Sequence, residues 1–85
     1  MNICFLMGKI VSDINFKFII HDRENNSIVK FEVELNNKSK IIVIGYNELA
    51  DFCYSRLKKN DNIALQGYLN SQIKVILIYL YITKT

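Results

Sequence analysis

The chain has 85 residues, enough for one domain with a single hydrophobic core, and this length excludes a second domain. It is 51% hydrophobic and 22% charged and has no proline, which excludes disordered and collagen-like chains. A net charge of +3 permits nucleic-acid binding without requiring it. The longest apolar runs, 3–7 and 75–82, are too short to cross a bilayer, so we expect a soluble cytoplasmic protein.

The first half of the chain shows the two-residue alternation of β-strands, interrupted by polar clusters. In a first strand over 2–10, the alternation divides two sets of side chains, with Cys4, Leu6, Gly8 and Ile10 on one face and Ile3, Phe5, Met7 and Lys9 on the other. Gly8 is a predicted bend point. An apolar run, 16–20, and a polar stretch, 21–27, precede the second predicted strand, 28–35. That strand points Glu32 and Glu34 outward.

In the second half, a turn at 36–39 leads to a third strand, 40–46, after which the apolar spacing becomes helical. Asn47 is the predicted N-cap of one short helix. Its apolar side is predicted to hold Leu49, Phe52, Cys53 and Leu57. A fourth strand, 63–69, and a turn at 70–72 lead to the fifth strand. There we predict Ile76, Ile78, Leu80 and Ile82 on one face and Val75, Leu77, Tyr79 and Tyr81 on the outside.

This order of elements, three strands, one helix and two strands, is that of the five-stranded Greek-key barrel called the OB-fold. We therefore predict one all-β domain over residues 1–85, a five-stranded OB-fold barrel with a short helix between strands 3 and 4. A small open sheet with one helix on its face is the alternative. The barrel is favoured because one amphipathic helix cannot cover the apolar faces of five strands.

The residues that could carry chemistry are few. Cys4 and Cys53 lie in apolar stretches without C-x-x-C spacing, so free thiols in a reducing cytosol are favoured over a disulfide. His21 is the single histidine, in a polar stretch, and no His/Cys set has metal-ligand spacing. We predict no catalytic residue, no metal site and no cofactor, and hence a protein that is not an enzyme.

A series of motifs runs through the chain in order. It comprises the apolar run ending in Gly8-Lys9-Ile10 and followed by Asp13, the step Phe16-Lys17-Phe18, the strand 29–35, the strand end and helix start 44–51, and the turn Leu57-Lys58-Lys59-Asn60-Asp61 with the strand 63–69. This series resembles the bacterial single-stranded DNA-binding protein family and its smaller, tail-less relatives, such as the primosomal replication protein. The match covers nearly all of the chain.

The resemblance implies an OB-fold homo-oligomer, a dimer or tetramer, that stacks the bases of single-stranded DNA on aromatic side chains in a basic groove. Tyr46 matches the aromatic residue at the end of the family's strand, and we predict that it stacks on bases. Lys9, Lys17, Lys40 and Lys74 are the predicted phosphate contacts. In the alternative interpretation, Tyr46 closes the barrel end over the helix and the lysines keep an outer face soluble. RNA is a further possible ligand, since stacking does not separate it from DNA.

Several positions depart from the family pattern. The chain has no tryptophan, Lys40 replaces an aromatic residue, and the turns 36–39 and 70–72 are short. The outward Glu32 and Glu34 would repel phosphates. We also expect no acidic tail for recruiting replication proteins, since the chain stops after residues 83–85.

Apolar side chains on the predicted outer faces point to self-association, because large exposed apolar patches rarely stay uncovered. We predict an oligomer interface formed by Ile3, Phe5, Met7, Tyr79 and Tyr81, with Val75, Leu77, Ile42 and Ile44 as further outward apolar positions. The leading hypothesis is a non-catalytic single-stranded DNA-binding protein of replication, repair or mobile-element transfer. The alternative is an OB-fold interaction module that has lost nucleic-acid binding.

Overall fold

A computed structural model of the chain describes residues 2–21, 24–70 and 74–83; of residues 21, 24 and 25 it describes the backbone alone. The elements follow one another as β1 (Ile3–Ile10), β2 (Asn15–His21), β3 (Glu24–Leu35), β4 (Lys40–Tyr46), α1 (Glu48–Arg56), β5 (Asn62–Leu69) and β6 (Lys74–Thr83). The predicted turn 70–72 lies partly outside the described residues, as do the side chain of His21 and the last two residues.

Five of the strands close a barrel. They follow the order β1-β5-β6-β4-β3, and β3 pairs with β1 again to complete the ring. All pairings are antiparallel except that of β4 with β6, as a Greek-key connection requires. The single helix lies between β4 and β5. The predicted five-stranded OB-fold barrel is therefore confirmed.

The strand β2 is the part of the sheet that the sequence pattern did not predict. It pairs with β3 over its whole length, from Asn15 opposite Lys30 to His21 opposite Glu24. The stretch 21–27, expected to be a polar loop, instead belongs largely to this long hairpin. Its polar residues were misleading because the hairpin extends past the barrel, where no core requires apolar side chains on alternate positions.

The barrel interior is filled by inward side chains from all five strands of the ring. Its fully buried large members are Ile10, Val29, Phe31, Val33, Val43, Ile63, Leu65 and Val75. At Gly8 the strand β1 pairs with both β3 and β5. A Cβ atom at Gly8 would lie 2.5 Å from the carbonyl oxygen of Glu34, so glycine permits the close approach that closes the ring.

The predicted faces of the last strand are wrong in part. Val75 and Leu77, expected outside, are buried, and Ile78, expected on the opposite, aliphatic face, is exposed. A β-bulge is the cause: Gln66 pairs with Tyr79 and its neighbour Gly67 pairs with Leu77, which leaves Ile78 without an opposite residue. The extra residue reverses the alternation. Tyr79 therefore stays outside, as predicted, and Leu80 points inward.

The helix covers one end of the barrel with its small and apolar residues. Cys53 and Leu57 are buried as predicted, but Phe52 is exposed and receives Arg56 over its ring at 5.9 Å. Cys4 and Cys53 are both free thiols, as predicted. Burial raises the pKa of the Cys53 thiol from 9.0 to about 12. In the described part of the chain, no helix is long and apolar enough to span a bilayer.

Candidate nucleic-acid interface

The outer surface of β2, β3 and β4 combines aromatic, basic and acidic side chains. The outward residues of these strands form what we call the β3–β4 face: Asn15, Lys17, Ile19, Ile28, Lys30, Glu32, Glu34, Lys40, Ile42, Ile44 and Tyr46. β3 and β4 are the second and third strands of the barrel ring in chain order. The outer face of these two strands is the surface with which OB-folds bind oligonucleotides.

At one end of this face, Tyr46 and Lys17 lie in one row of cross-strand partners. Tyr46 pairs with Ile28 across β4 and β3, and Ile28 pairs with Lys17 across β3 and β2. Because neighbouring strands lie about 4.8 Å apart, the Cα atoms of Tyr46 and Lys17 are about 10 Å apart. The Tyr46 side chain is 46% exposed, so its ring is accessible. This row of three residues combines an aromatic ring, for stacking on a base, with an ammonium group, for a phosphate.

A shallow depression of about 540 Å³ lies beside this row. Its lining consists of Asn15, Phe16, Lys17, Ile19, Ile28 and Lys30. Two ammonium groups above an apolar floor are suited to a planar base with its phosphate. Sequence reasoning did not select Lys30 or Ile28, although the alternation of the strand placed both outward. The pairing of β3 with β2 supplies the missing information, because it brings Lys30 beside Lys17.

The opposite end of the face has a different character. Lys40 pairs with Glu34, and Glu34 pairs in turn with Lys9 across β1. In the strand register, Glu34 therefore lies between the two lysines that were predicted to contact phosphate. Lys40 is six residues from Tyr46 along β4, which corresponds to about 20 Å.

The middle of the face carries the fifth predicted contact. Lys74, the first residue of β6, pairs with Ile42 of β4, and Ile42 pairs on its other side with Glu32. The structure thus brings Tyr46 and Lys17 together, places Lys9 and Lys40 at the far end, and leaves Lys74 between the two groups.

A second exposed surface lies on β1, β5 and β6. We call it the apolar face, and it consists of Ile3, Phe5, Met7, Tyr79 and Tyr81. Phe5 and Tyr79 flank Gln66 of β5, and Met7 and Tyr81 flank the buried Ala64, in two adjacent rows. The rings of Tyr79 and Tyr81 are 4.7 Å apart between centroids. The register therefore gathers residues from both ends of the chain into one patch.

The closed barrel with its single helix belongs to the OB-fold class, whose members bind oligonucleotides and oligosaccharides. No protein-family model matches the chain, and no curated protein matches its sequence. Solved structures do match it. The single-stranded DNA-binding domain of a Synechococcus sp. protein is 22% identical with a TM-score of 0.83, and the match covers 95% of this chain and 94% of that one.

Two further structures extend the comparison. The single-stranded DNA-binding protein of Thermus aquaticus is 22% identical with a TM-score of 0.79; the match covers 100% of this chain but 41% of that one. The mitochondrial single-stranded DNA-binding protein of S. cerevisiae is 13% identical with a TM-score of 0.79, and 98% of this chain and 94% of that one are covered. At these identities the similarity establishes the fold that this chain shares with them.

Proposed function

We propose that this protein binds single-stranded DNA on its β3–β4 face, as a member of the single-stranded DNA-binding protein family. The observation that carries the proposal is the row Tyr46–Ile28–Lys17 with the adjoining depression. It lies on a barrel whose solved structural neighbours are single-stranded DNA-binding proteins.

Binding proceeds by stacking and by phosphate contacts. A base stacks on the Tyr46 ring, which contributes about 1–3 kcal/mol for each stacked base. Lys17 and Lys30 contact the phosphates on either side of the depression. Neither contact reads the hydrogen-bonding edge of a base, so the protein binds many sequences alike. No step of this function makes or breaks a covalent bond.

The acidic residues set the path of the strand over the face. Glu34 lies between Lys9 and Lys40, and Glu32 lies next to Ile42 on the same face. Their carboxylates repel phosphates. The nucleic acid therefore follows β3 and β2 at the Tyr46 end, and Lys9, Lys40 and Lys74 contribute less than Lys17 and Lys30.

Self-association through the apolar face is the second part of the proposal. Phe5 is 62% exposed and Tyr79 52% exposed, and burying both against another subunit removes apolar surface from water. The apolar face and the β3–β4 face lie on different strands, so an oligomer leaves the latter accessible. Two or four copies on one strand increase the affinity through avidity. A role in replication, repair or mobile-element transfer follows from this activity.

The test is fluorescence anisotropy of labelled oligo-dT, titrated with the protein at several salt concentrations. We expect binding whose logarithm falls linearly with the logarithm of salt concentration, with a slope of about −0.7 for each phosphate contact. A duplex of the same length is the control and binds more weakly. An oligo-U arm distinguishes RNA from DNA as the ligand. Equal binding to the duplex, or none to either strand at low salt, would contradict the proposal.

The alternative function is a protein-interaction module without nucleic-acid binding. The observation that favours it is the apolar face, whose exposed residues Ile3, Phe5, Met7, Tyr79 and Tyr81 carry no charge, unlike the Tyr46 end of the β3–β4 face. If the protein forms an oligomer through that face and binds no oligonucleotide at low salt, this alternative replaces the proposal.

A further inference from the structure

A small polar network lies directly beneath the turn that follows Tyr46. Ser27 is the one buried polar side chain among the residues described here, with 3% of its surface exposed. Its hydroxyl oxygen lies 2.8 Å from Oδ1 of Asp51 and 3.1 Å from the carbonyl oxygen of Asn47. The single hydroxyl proton is donated to the Asp51 carboxylate, since this acceptor is closer and charged. The network thus joins β3 to the first turn of α1.

Asn47 links Tyr46 to the helix in an uncommon conformation. Asn47 is the N-cap residue, as predicted, but its side chain makes no capping hydrogen bond, and its φ of 56° and ψ of −118° belong to a region that favours glycine. The backbone of Ser27 forms hydrogen bonds with both the backbone and the side chain of Asn47. The Asn47 N–H donates to the Ser27 carbonyl at 2.8 Å, and the Ser27 N–H donates to Asn47 Oδ1 at 3.4 Å.

The position of Tyr46 depends on this turn. Tyr46 is the last residue of β4, and its cross-strand partner is Ile28, the residue next to Ser27. The pairing of Tyr46 with Ile28 and that of Asn47 with Ser27 fix the backbone on both sides of the Tyr46 side chain. The Ser27 hydroxyl adds a further link, from this backbone pairing to Asp51, and so ties the end of β4 to α1.

We propose that Ser27, through Asn47 and Asp51, is a positioning residue that holds the Tyr46 ring ready for stacking. The inference rests on the proposed function, because it concerns the same site. Ser27 is buried and touches no ligand, so it acts through preorganisation: a ring that is already ordered loses less freedom when a base stacks on it. Loss of the Ser27 hydroxyl is expected to weaken oligo-dT binding about three- to tenfold.

The experiment compares Ser27→Ala, Asp51→Ala and Asp51→Asn with the wild-type protein. Asp51→Asn removes the charge but keeps an acceptor oxygen for the Ser27 hydroxyl, whereas Asp51→Ala removes both. We expect Ser27→Ala and Asp51→Ala to weaken binding, and Asp51→Asn, which keeps a neutral acceptor, to weaken it less. The salt slope stays unchanged in all three variants, because none of them loses a phosphate contact.

A double-mutant cycle tests the route through Tyr46. Ser27→Ala is combined with Tyr46→Ala, and we expect no further loss of affinity beyond that of Tyr46→Ala, because the ring that Ser27 positions is absent. A purely structural effect of Ser27 would instead add to the effect of Tyr46→Ala. Additive losses, or wild-type binding by Ser27→Ala, would overturn the inference.

An NMR measurement on the protein without DNA separates this inference from the proposed function. Couplings that report χ1 of Tyr46 are expected to show one rotamer in the wild type and averaging in Ser27→Ala. Unchanged couplings would overturn the positioning role whether or not DNA binds. A failure of the wild type to bind oligo-dT would refute the proposed function, and with it any role of Ser27 in binding, even if the couplings change.

Discussion

The β3–β4 face and the apolar face are built on the same barrel and expose aromatic rings to a similar degree. Tyr46 is 46% exposed on the first, and Tyr79 is 52% exposed on the second. Their neighbours differ. Lys17 lies in the row of Tyr46, whereas Gln66 and Phe5 lie in the row of Tyr79. The exposure of a ring therefore does not separate the proposed base-stacking surface from the proposed subunit interface; the two surfaces differ in the charge of the cross-strand neighbours.

The largest expected effect concerns the apolar face. Phe5→Glu places a charge at the centre of the proposed interface, where burial without a partner is very unfavourable. We expect the oligomer to dissociate to single chains, as measured by sedimentation velocity. Ile20→Glu is the matched control, because Ile20 is 72% exposed on the β2–β3 hairpin, outside this face. An unchanged mass for Phe5→Glu would place the subunit interface elsewhere.

The next effect concerns the stacking residue. Tyr46→Ala is expected to weaken oligo-dT binding by about 1–3 kcal/mol, or about 5- to 150-fold, since one base loses its aromatic partner. The measurement is anisotropy at fixed salt. Phe52→Ala removes an aromatic ring from the exposed side of α1 and serves as the control with wild-type affinity. Equal losses in both variants would argue against Tyr46 as a stacking residue.

A smaller effect is expected at the end of the β3–β4 face that holds Glu34. There a substitution is expected to strengthen DNA binding instead of weakening it. Glu34→Gln removes the negative charge that lies between Lys9 and Lys40 in the strand register and repels phosphates there. Two added contacts would make the salt slope steeper by up to about 1.4 and strengthen binding at low salt. Glu48→Gln, at the start of α1, removes the same charge away from this face. If both variants change the slope equally, net charge rather than the position of Glu34 determines binding.

The smallest expected effect concerns the thiol of Cys53, which is buried in the interior. Its reactivity serves as a reference for variants on both faces. The pKa of Cys53 is raised to about 12, so the folded state favours the neutral thiol. Its contribution to stability is therefore complete below the ordinary pKa of 9.0 and is lost as the pH rises from there to about 12. At pH 8 we expect a thiol reagent to modify Cys4 before Cys53.

The same labelling shows whether a surface variant remains folded. In Phe5→Glu and Tyr46→Ala, slow modification of Cys53 is expected to persist, since neither side chain packs in the core. Fast modification of Cys53 in either variant would indicate unfolding, and the loss of assembly or binding could then not be assigned to the altered face. The comparison of the two faces rests on variants that pass this test.

Some of these features could be predicted from local patterns. The alternation in β1 correctly placed Phe5 and Met7 outside, and the change of period after Tyr46 correctly located the helix with Cys53 inside. The buried sides of Val75 and Leu77 could not be predicted, because the bulge at Ile78 is visible only in the pairing of β6 with β5. A bulge leaves no reliable mark in a strand whose residues are all apolar.

The sequence by itself determined the order of the five barrel strands and the helix, and the outward or inward direction of most side chains, because these depend on periodicities of two and 3.6 residues. Closure of the barrel determined which outward side chains became neighbours. Ile28 lies between Lys17 and Tyr46 in one row of cross-strand partners, and Glu34 lies between Lys9 and Lys40 in another. Both rows are set by the register in which the strands pair. Register is a property of strand pairs, and a single strand's pattern does not contain it.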